Sequence, residues 1–170
     1  MKIENCMGTG SETDVFFSLG SNEGDRRLNL ETAVQMLSEE LGSSPEAVSE
    51  FLETEPWGFE SDEKFLNAVV HYRLIVPRGT CAEDFGKRLL KTCKGIEKSL
   101  GRTGEPEYGT DGKRIYRSRP ADIDILLIGD ERIDVPELKV PHPLMKERDF
   151  VLIPLKEIMT EEQFEKMMKN

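Results

Sequence analysis

The chain has 170 residues, 37% of them hydrophobic and 33% charged, enough for one core and too few for two ordinary domains. Its net charge of -10 argues against non-specific nucleic-acid binding and adhesion to acidic membranes, but not against an anionic small substrate met by a local cluster of basic groups. No stretch approaches the roughly 20 apolar residues of a membrane helix. Three scattered cysteines without a C-x-x-C pair read as reduced thiols of a cytoplasmic protein, and two histidines, His71 and His142, argue against a zinc site.

Residues 1–13 are polar and rich in Gly, Ser and Thr, which predicts a disordered tail, with one domain over 14–170. Val15 to Leu19 predicts a first strand, ending in a turn cluster at Gly20-Ser21-Asn22-Glu23-Gly24. Leu30, Ala33, Val34, Leu37 and Leu41 recur at helical spacing, with Gly42 as the stop. Val48 to Leu52 suggests a second strand, and Trp57-Gly58 falls in a loop. Phe65 to Val76 is the longest strand, with Leu66, Ala68, Val70, Tyr72, Leu74 and Val76 on one face and Phe65, Asn67, Val69, His71 and Arg73 on the other. A second amphipathic helix carries Phe85, Leu89, Leu90, Cys93, Ile96 and Leu100 and closes at Gly101. The polar stretch 102–118 is longer than most loops of compact domains, the length of a functional lid or of a disordered segment. Ala121 to Ile128 is the last main strand, short elements follow through Val140 and 150–153, and a terminal helix is expected over 161–170. The order strand, helix, strand, strand, helix, strand predicts an α+β, ferredoxin-like βαββαβ core, an antiparallel sheet with helices on one face.

Three constellations carry chemistry. Asp122 and Asp124 stand at i and i+2 of a strand and so share a face, about 7 Å apart. The flanking apolar residues suggest burial on both sides, where two carboxylates need a positive partner. Magnesium ions are one solution and a structural Asp–Arg pair the other. Lys113, Arg114, Arg117 and Arg119 put four cations just before the aspartates of an acidic chain. Such a run is either a solvated loop or the positive lining of a phosphoryl-transfer site. Phe65 and Asn67 share a strand face and suit a flat heterocycle, the ring stacking and the carboxamide reading its edge. Pro141-His142-Pro143, with Met145, Arg148 and Phe150 after it, forms the third group.

Together these stretches resemble the 6-hydroxymethyl-7,8-dihydropterin pyrophosphokinase family. The resemblance rests on Gly20-Ser21-Asn22; on Thr54, Pro56, Gly58 and Phe65-Leu66-Asn67-Ala68; on Arg119-x-x-Asp122-Ile123-Asp124-Ile125-Leu126; and on Val140-Pro141-His142, Met145, Arg148, Phe150, Pro154-Leu155 and Glu157-Ile158. It spans about residues 14–158 in order. It implies transfer of pyrophosphate from ATP to the hydroxymethyl group of the pterin, releasing AMP. Asp122 and Asp124 would hold two Mg²⁺. Arg102 and Arg119 would act on the phosphates. Glu97, Tyr116, Ile125, His142 and Arg148 would contribute further ATP contacts. Phe65 and Phe150 would sandwich the pterin, with Asn67 on its edge and Thr54, Trp57 and Gly58 completing the pocket. Departures from the family pattern are Arg117 two before the signature arginine, Tyr116 where a Trp is common, Glu55 for a frequent Pro, Asp62-Glu63 for Gln-Pro, and a longer 102–119 segment. Two alternatives stand beside this reading: a two-metal nucleotidyltransferase on a ferredoxin-like sheet, and a ligand-binding regulatory module.

Overall fold

The computed structural model describes residues 10–56, 63–102, 107–108, 110, 114–115 and 119–169. The first half of the chain supplies β1 (Ser11–Ser21), α1 (Arg26–Leu41), β2 (Ala47–Val48), β3 (Leu52–Thr54) and β4 (Phe65–Val76). The second half supplies α2 (Ala82–Ser99), the short ribbon β5 (Glu107–Tyr108) and β6 (Arg114–Ile115), β7 (Asp122–Ile128), the hairpin β8 (Ile133–Val135) and β9 (Leu138–Val140), then α3 (Asp149–Ile158) and α4 (Glu161–Lys169). Among the described residues no helix is long and apolar enough to cross a membrane.

β1 is the central strand, antiparallel to β4 on one side and β7 on the other. β2 and β3 lie end to end along the outer edge of β4, Val48 opposite Val70 and Leu52 opposite Asn67. Counted as one interrupted strand, they complete the ferredoxin-like arrangement in which the first and third strands are central. The interruption is satisfied locally. Ser49 exchanges bonds with Val69, its N–H donating to the carbonyl at 3.0 Å and its Oγ accepting from the N–H at 2.9 Å, while Glu50 N donates to Glu157 Oε1 at 2.8 Å.

The helices form for the expected reasons. Asp25 caps α1 by accepting from Leu28 N at 3.0 Å, and Gly42 ends it in the left-handed region at φ 64°. Leu30, Ala33, Leu37 and Leu41 of α1 and Phe85, Leu89, Cys93 and Ile96 of α2 pack on Val15, Phe17, Leu19, Val70 and Tyr72.

Four expectations are corrected. β1 begins at Ser11, inside the stretch read as a tail, because Ser11, Glu12 and Thr13 pair with Val76, Ile75 and Leu74. It also runs through Gly20 and Ser21, read as a turn, because those residues pair with Asn67 and Leu66. Helices cover both faces of the sheet: Phe16, Val69, Leu126, Leu127, Met145, Val151, Leu155 and Met167 form a second core under α3 and α4. Finally, β7 does not alternate evenly. Phe16 faces Leu127 and Phe17 faces Ile125, so Leu126 is a bulge. Leu126 and Leu127 therefore both serve the second core, and Ile128 returns to the first.

Candidate active site

The second face is apolar at one end and polar at the other, and β1 explains the change. Along it Phe16 gives way to Ser18 and then Gly20, each two residues on. Gly20 lies between Asn67 of β4 and Asp122 of β7, and Ser18 lies between Val69 and Asp124. A Cβ on Gly20 would stand 3.3 Å from Asn67 Oδ1 and 3.7 Å from Phe65 Cδ1. Small residues thus leave a floor between an aromatic–carboxamide pair on one wall and a carboxylate pair on the other. The cavity over that floor is lined by Thr54, Glu55, Phe65 and Asn67 on one side and by Arg119, Asp122, Asp124, Arg148 and Phe150 on the other.

The carboxylate wall is a charge network. Arg102 Nη1 donates to Asp122 Oδ1 at 2.8 Å and to Glu97 Oε2 at 2.6 Å, and Arg119 Nη1 reaches the same Asp122 oxygen at 3.0 Å. Glu97, buried at the end of α2, also accepts from Ile123 N at 2.7 Å, tying helix to strand. Burial is the main force raising the Glu97 carboxyl, to about 7, with nearby Asp122 adding to it; the Ile123 N–H and Arg102 offset them in part. Burial works against the Arg102 charge, but Asp122 and Glu97 outweigh it and raise its pKa.

The G-S-N segment has a structural task. Asn22 is fully buried, its Oδ1 accepting from Arg119 N at 2.8 Å and its own N–H donating to Arg119 O at 3.3 Å. This fixes the main chain from which Arg119 reaches Asp122.

Asp124 sits on the open side, its carboxylate 39% exposed, with Arg148 Nη1 at 3.9 Å and His142 Nε2 at 4.0 Å from Oδ2. His142 is held at the β7 edge by its N–H, which donates to Leu126 O at 2.9 Å. Its Nδ1 accepts from Leu144 N at 3.2 Å, so the neutral ring carries its proton on Nε2, facing Asp124. Burial, then the Arg148 charge, lower its pKa to about 4. Arg148 stacks over Phe150, 5.5 Å from the ring centroid. On the opposite wall Asn67 Nδ2 donates to Thr54 Oγ1 at 2.8 Å, leaving the carboxamide oxygen toward the floor.

The structure thus brings together Asp122, Asp124, Arg102, Arg119, His142, Arg148, Phe65, Asn67, Thr54 and Phe150. Glu97 is behind them, its carboxylate engaged by Arg102 and Ile123. The Ile125 side chain is buried in the first core and away from the cavity, which leaves its main chain as the part a ligand could meet. Ile123 N points to the outer edge of β7, and by alternation Ile125 presents its main-chain groups to that same edge. Trp57, Gly58 and Tyr116, the cations Lys113 and Arg117, and most of the expected 102–118 lid lie outside the described residues, as does the side chain of Arg114. Ser18, Gly20, Glu55 and the clamp by Asn22 were not foreseen. The fall from Phe16 to Ser18 to Gly20 on one strand face is a signal that could have found the floor.

Residues 16–160 match the family model described as 7,8-dihydro-6-hydroxymethylpterin-pyrophosphokinase. The chain is similar to 2-amino-4-hydroxy-6-hydroxymethyldihydropteridine pyrophosphokinase of Porphyromonas gingivalis, 43% identical over 145 residues that cover 85% of this chain and 89% of the relative. It is 41% identical to the protein of that name from Bacillus subtilis over 143 residues, 84% of this chain and 76% of the relative. The Aquifex aeolicus protein of that name is 38% identical over 145 residues, 85% and 79% of the two chains.

Proposed function

The chain belongs to the 7,8-dihydro-6-hydroxymethylpterin-pyrophosphokinase family and is an ATP-dependent pyrophosphokinase of folate biosynthesis, and we propose how its residues divide that work. The observation that carries the proposal is one cavity with an aromatic–carboxamide wall facing a wall of two carboxylates and two arginines, with Arg102 bonded to Asp122 as a third. The first suits a pterin and the second a polyphosphate.

The pterin lies over Gly20, stacked between Phe65 and Phe150, with Asn67 Oδ1 accepting from its ring edge and Thr54 orienting the carboxamide. The resemblance assigns Trp57 and Gly58 to that end as well. Its hydroxymethyl group then points across the floor to the aspartates.

The donor set fits magnesium. Among the described residues no cluster of three or more His, Cys, Asp or Glu side chains could hold an ion. A pair of carboxylates that needs substrate oxygens to fill the coordination shell matches magnesium's habit. Asp122 and Asp124 would hold two Mg²⁺, which supply charge neutralisation and alignment of the phosphates and hydroxyl.

The pterin oxygen attacks the β-phosphorus of ATP. The new O–Pβ bond forms as the bond from Pβ to the α,β-bridging oxygen breaks, AMP leaves with that oxygen, and the hydroxyl proton passes to solvent. Arg119, set by Asn22, and Arg102, set by Glu97, turn from Asp122 to the phosphates and stabilise charge spreading over them. Neutral His142 donates from Nε2, Arg148 pairs with phosphate oxygens, and Ile125 offers its main chain to the base. Tyr116 is assigned to the ATP side. Incubation with ATP, Mg²⁺ and the reduced pterin alcohol, followed by phosphorus NMR, is expected to give AMP and the pterin diphosphate. Release of free pyrophosphate would instead identify nucleotidyl transfer.

A further inference from the structure

We infer that Arg26, on the first turn of α1, is a positioning residue for the pterin half of the site. Its Nη2 donates to Glu53 Oε2 at 2.9 Å, and its Nη1 donates to the main-chain carbonyl of Lys64 at 2.8 Å. Glu53 and Lys64 are the residues immediately before Thr54 and Phe65, and Thr54 and Phe65 face each other as the last pair of the β3–β4 ladder. One guanidinium therefore spans the rung from which the pterin wall is built.

Three observations make this more than a surface ion pair. The first is helix electrostatics. Cations at a helix N-terminus oppose the macrodipole; the Asp25 cap offsets part of this, and Arg27 pairs with Glu31 along the helix, whereas Arg26 turns away from the helix to Glu53 and Lys64. The placement of Arg26 thus serves the sheet rather than the helix. The second is how lightly β3 is held. It is three residues long, separated from β2 by the Ser49–Phe51 break, and paired with β4 alone. Among the described residues no strand pairs with its outer side, so a bond that ties Glu53 to the start of β4 carries weight.

The third is the adjoining charge pattern. Lys64 Nζ lies 3.1 Å from Glu55 Oε1 and 3.8 Å from Glu53 Oε1. Arg26, Glu53, Lys64 and Glu55 thus alternate in sign across the mouth of the cavity, which Glu55 lines. Bidentate use of a planar guanidinium sets direction as well as distance, which a lysine cannot reproduce on two acceptors. The consequence falls on the Thr54–Phe65 pair and, through the Thr54 bond, on Asn67. The aspartates of the facing wall are carried by β7, on the far side of β1 from β3 and β4.

The inference rests on the assignment of the Phe65–Asn67 wall to the pterin, so the test separates the two. Affinities are measured by fluorescence titration with 6-hydroxymethyl-7,8-dihydropterin in saturating Mg²⁺ and a non-hydrolysable ATP analogue, and for the analogue alone. Arg26→Ala is expected to raise the pterin Kd about three- to tenfold while the analogue Kd moves less than twofold. Arg26→Lys should fall between wild type and Arg26→Ala. Glu53→Ala should raise the pterin Kd, and combining it with Arg26→Ala should add little. An unchanged pterin Kd in Arg26→Ala, or an equal loss of analogue affinity, overturns the role of Arg26. Phe65→Ala reports on the premise: if it too leaves pterin affinity unchanged, the wall assignment fails and the inference with it.

Discussion

Asn22 and Arg119, 97 positions apart, hold each other by two bonds: the Asn22 carboxamide oxygen accepts from Arg119 N at 2.8 Å and Asn22 N donates to Arg119 O at 3.3 Å. The end of β1 is thereby fixed to the start of the β7 approach, and the arginine side chain leaves from a fixed main chain. Asn22→Ala is expected to lower kcat about ten- to hundredfold with pterin KM changed less than threefold, since misplacement by about 1 Å costs rates of that order. Steady-state kinetics on protein shown folded by circular dichroism checks this. A change confined to KM would remove the link between Asn22 and the chemistry.

Asp122 and Asp124 should both abolish turnover when changed to Ala, but with different costs to the fold. Asp122 neutralises Arg119, whose side chain is 9% exposed, and Arg102, 23% exposed. Asp122→Ala removes the carboxylate that the two arginines share, while Arg102 keeps Glu97, and should cost about 2–4 kcal/mol of stability. Asp124 is 39% exposed, with Arg148 Nη1 at 3.9 Å and the neutral His142 ring at 4.0 Å, so Asp124→Ala should cost less than about 1 kcal/mol. Urea denaturation beside activity assays separates the two; equal stability losses would contradict the network, and retained activity in either would contradict the metal assignment.

Much of this was legible beforehand. The bounds of β4 and the C-terminal stop of α1 follow from short-range rules: an alternating run closed by Pro77, and an apolar periodicity closed by Gly42. The aspartates stand within one strand and the Phe65–Asn67 pair within another, so their shared faces follow from alternation alone. What escaped depends on partners far along the chain. The start of β1 is settled by Val76, the β2–β3 break by Val69 and Glu157, and the Leu126 bulge by the register against Phe16 and Phe17. The second helical layer was hidden because Val69 and Leu126, its sheet partners, sit on faces that also carry Asn67 and Asp124. The resemblance implies Glu97 only as an ATP contact; its bond to Ile123 N, 26 residues on, has no local signal.

Glu97 and His142 tilt stability in opposite directions. Glu97 is raised in the folded protein from 4.5 to about 7, so its contribution is full below about 4.5 and is lost as pH rises through about 7. His142 is depressed from 6.5 to about 4, so its contribution is full above about 6.5 and is lost as pH falls through about 4. Between these limits they offset each other in the metal-free protein. Glu97→Gln should therefore become more stable with rising pH from 4 to 6.5, and His142→Gln less stable from 4.5 to 7, each by on the order of 1–3 kcal/mol. Urea titrations in chelator at stepped pH measure both. Curves parallel to wild type would show that neither group is shifted.

Phe150 is where the two halves of the cavity meet. It follows Arg148 by two residues at the start of α3, and the Arg148 guanidinium stacks over its ring at 5.5 Å. If Phe150 forms one side of the pterin sandwich, Phe150→Ala removes a stacking face worth about 0.5–1.5 kcal/mol beyond its buried area. The pterin Kd should rise about tenfold or more. The ATP-analogue Kd should rise less than threefold, because Arg148 keeps its charge and its approach to Asp124. Phe150→Tyr preserves the face and should restore most of the pterin affinity. Calorimetric titration of each ligand decides the matter: a loss confined to ATP would make Phe150 a prop for Arg148 alone, and equal losses would mean that α3 itself had shifted.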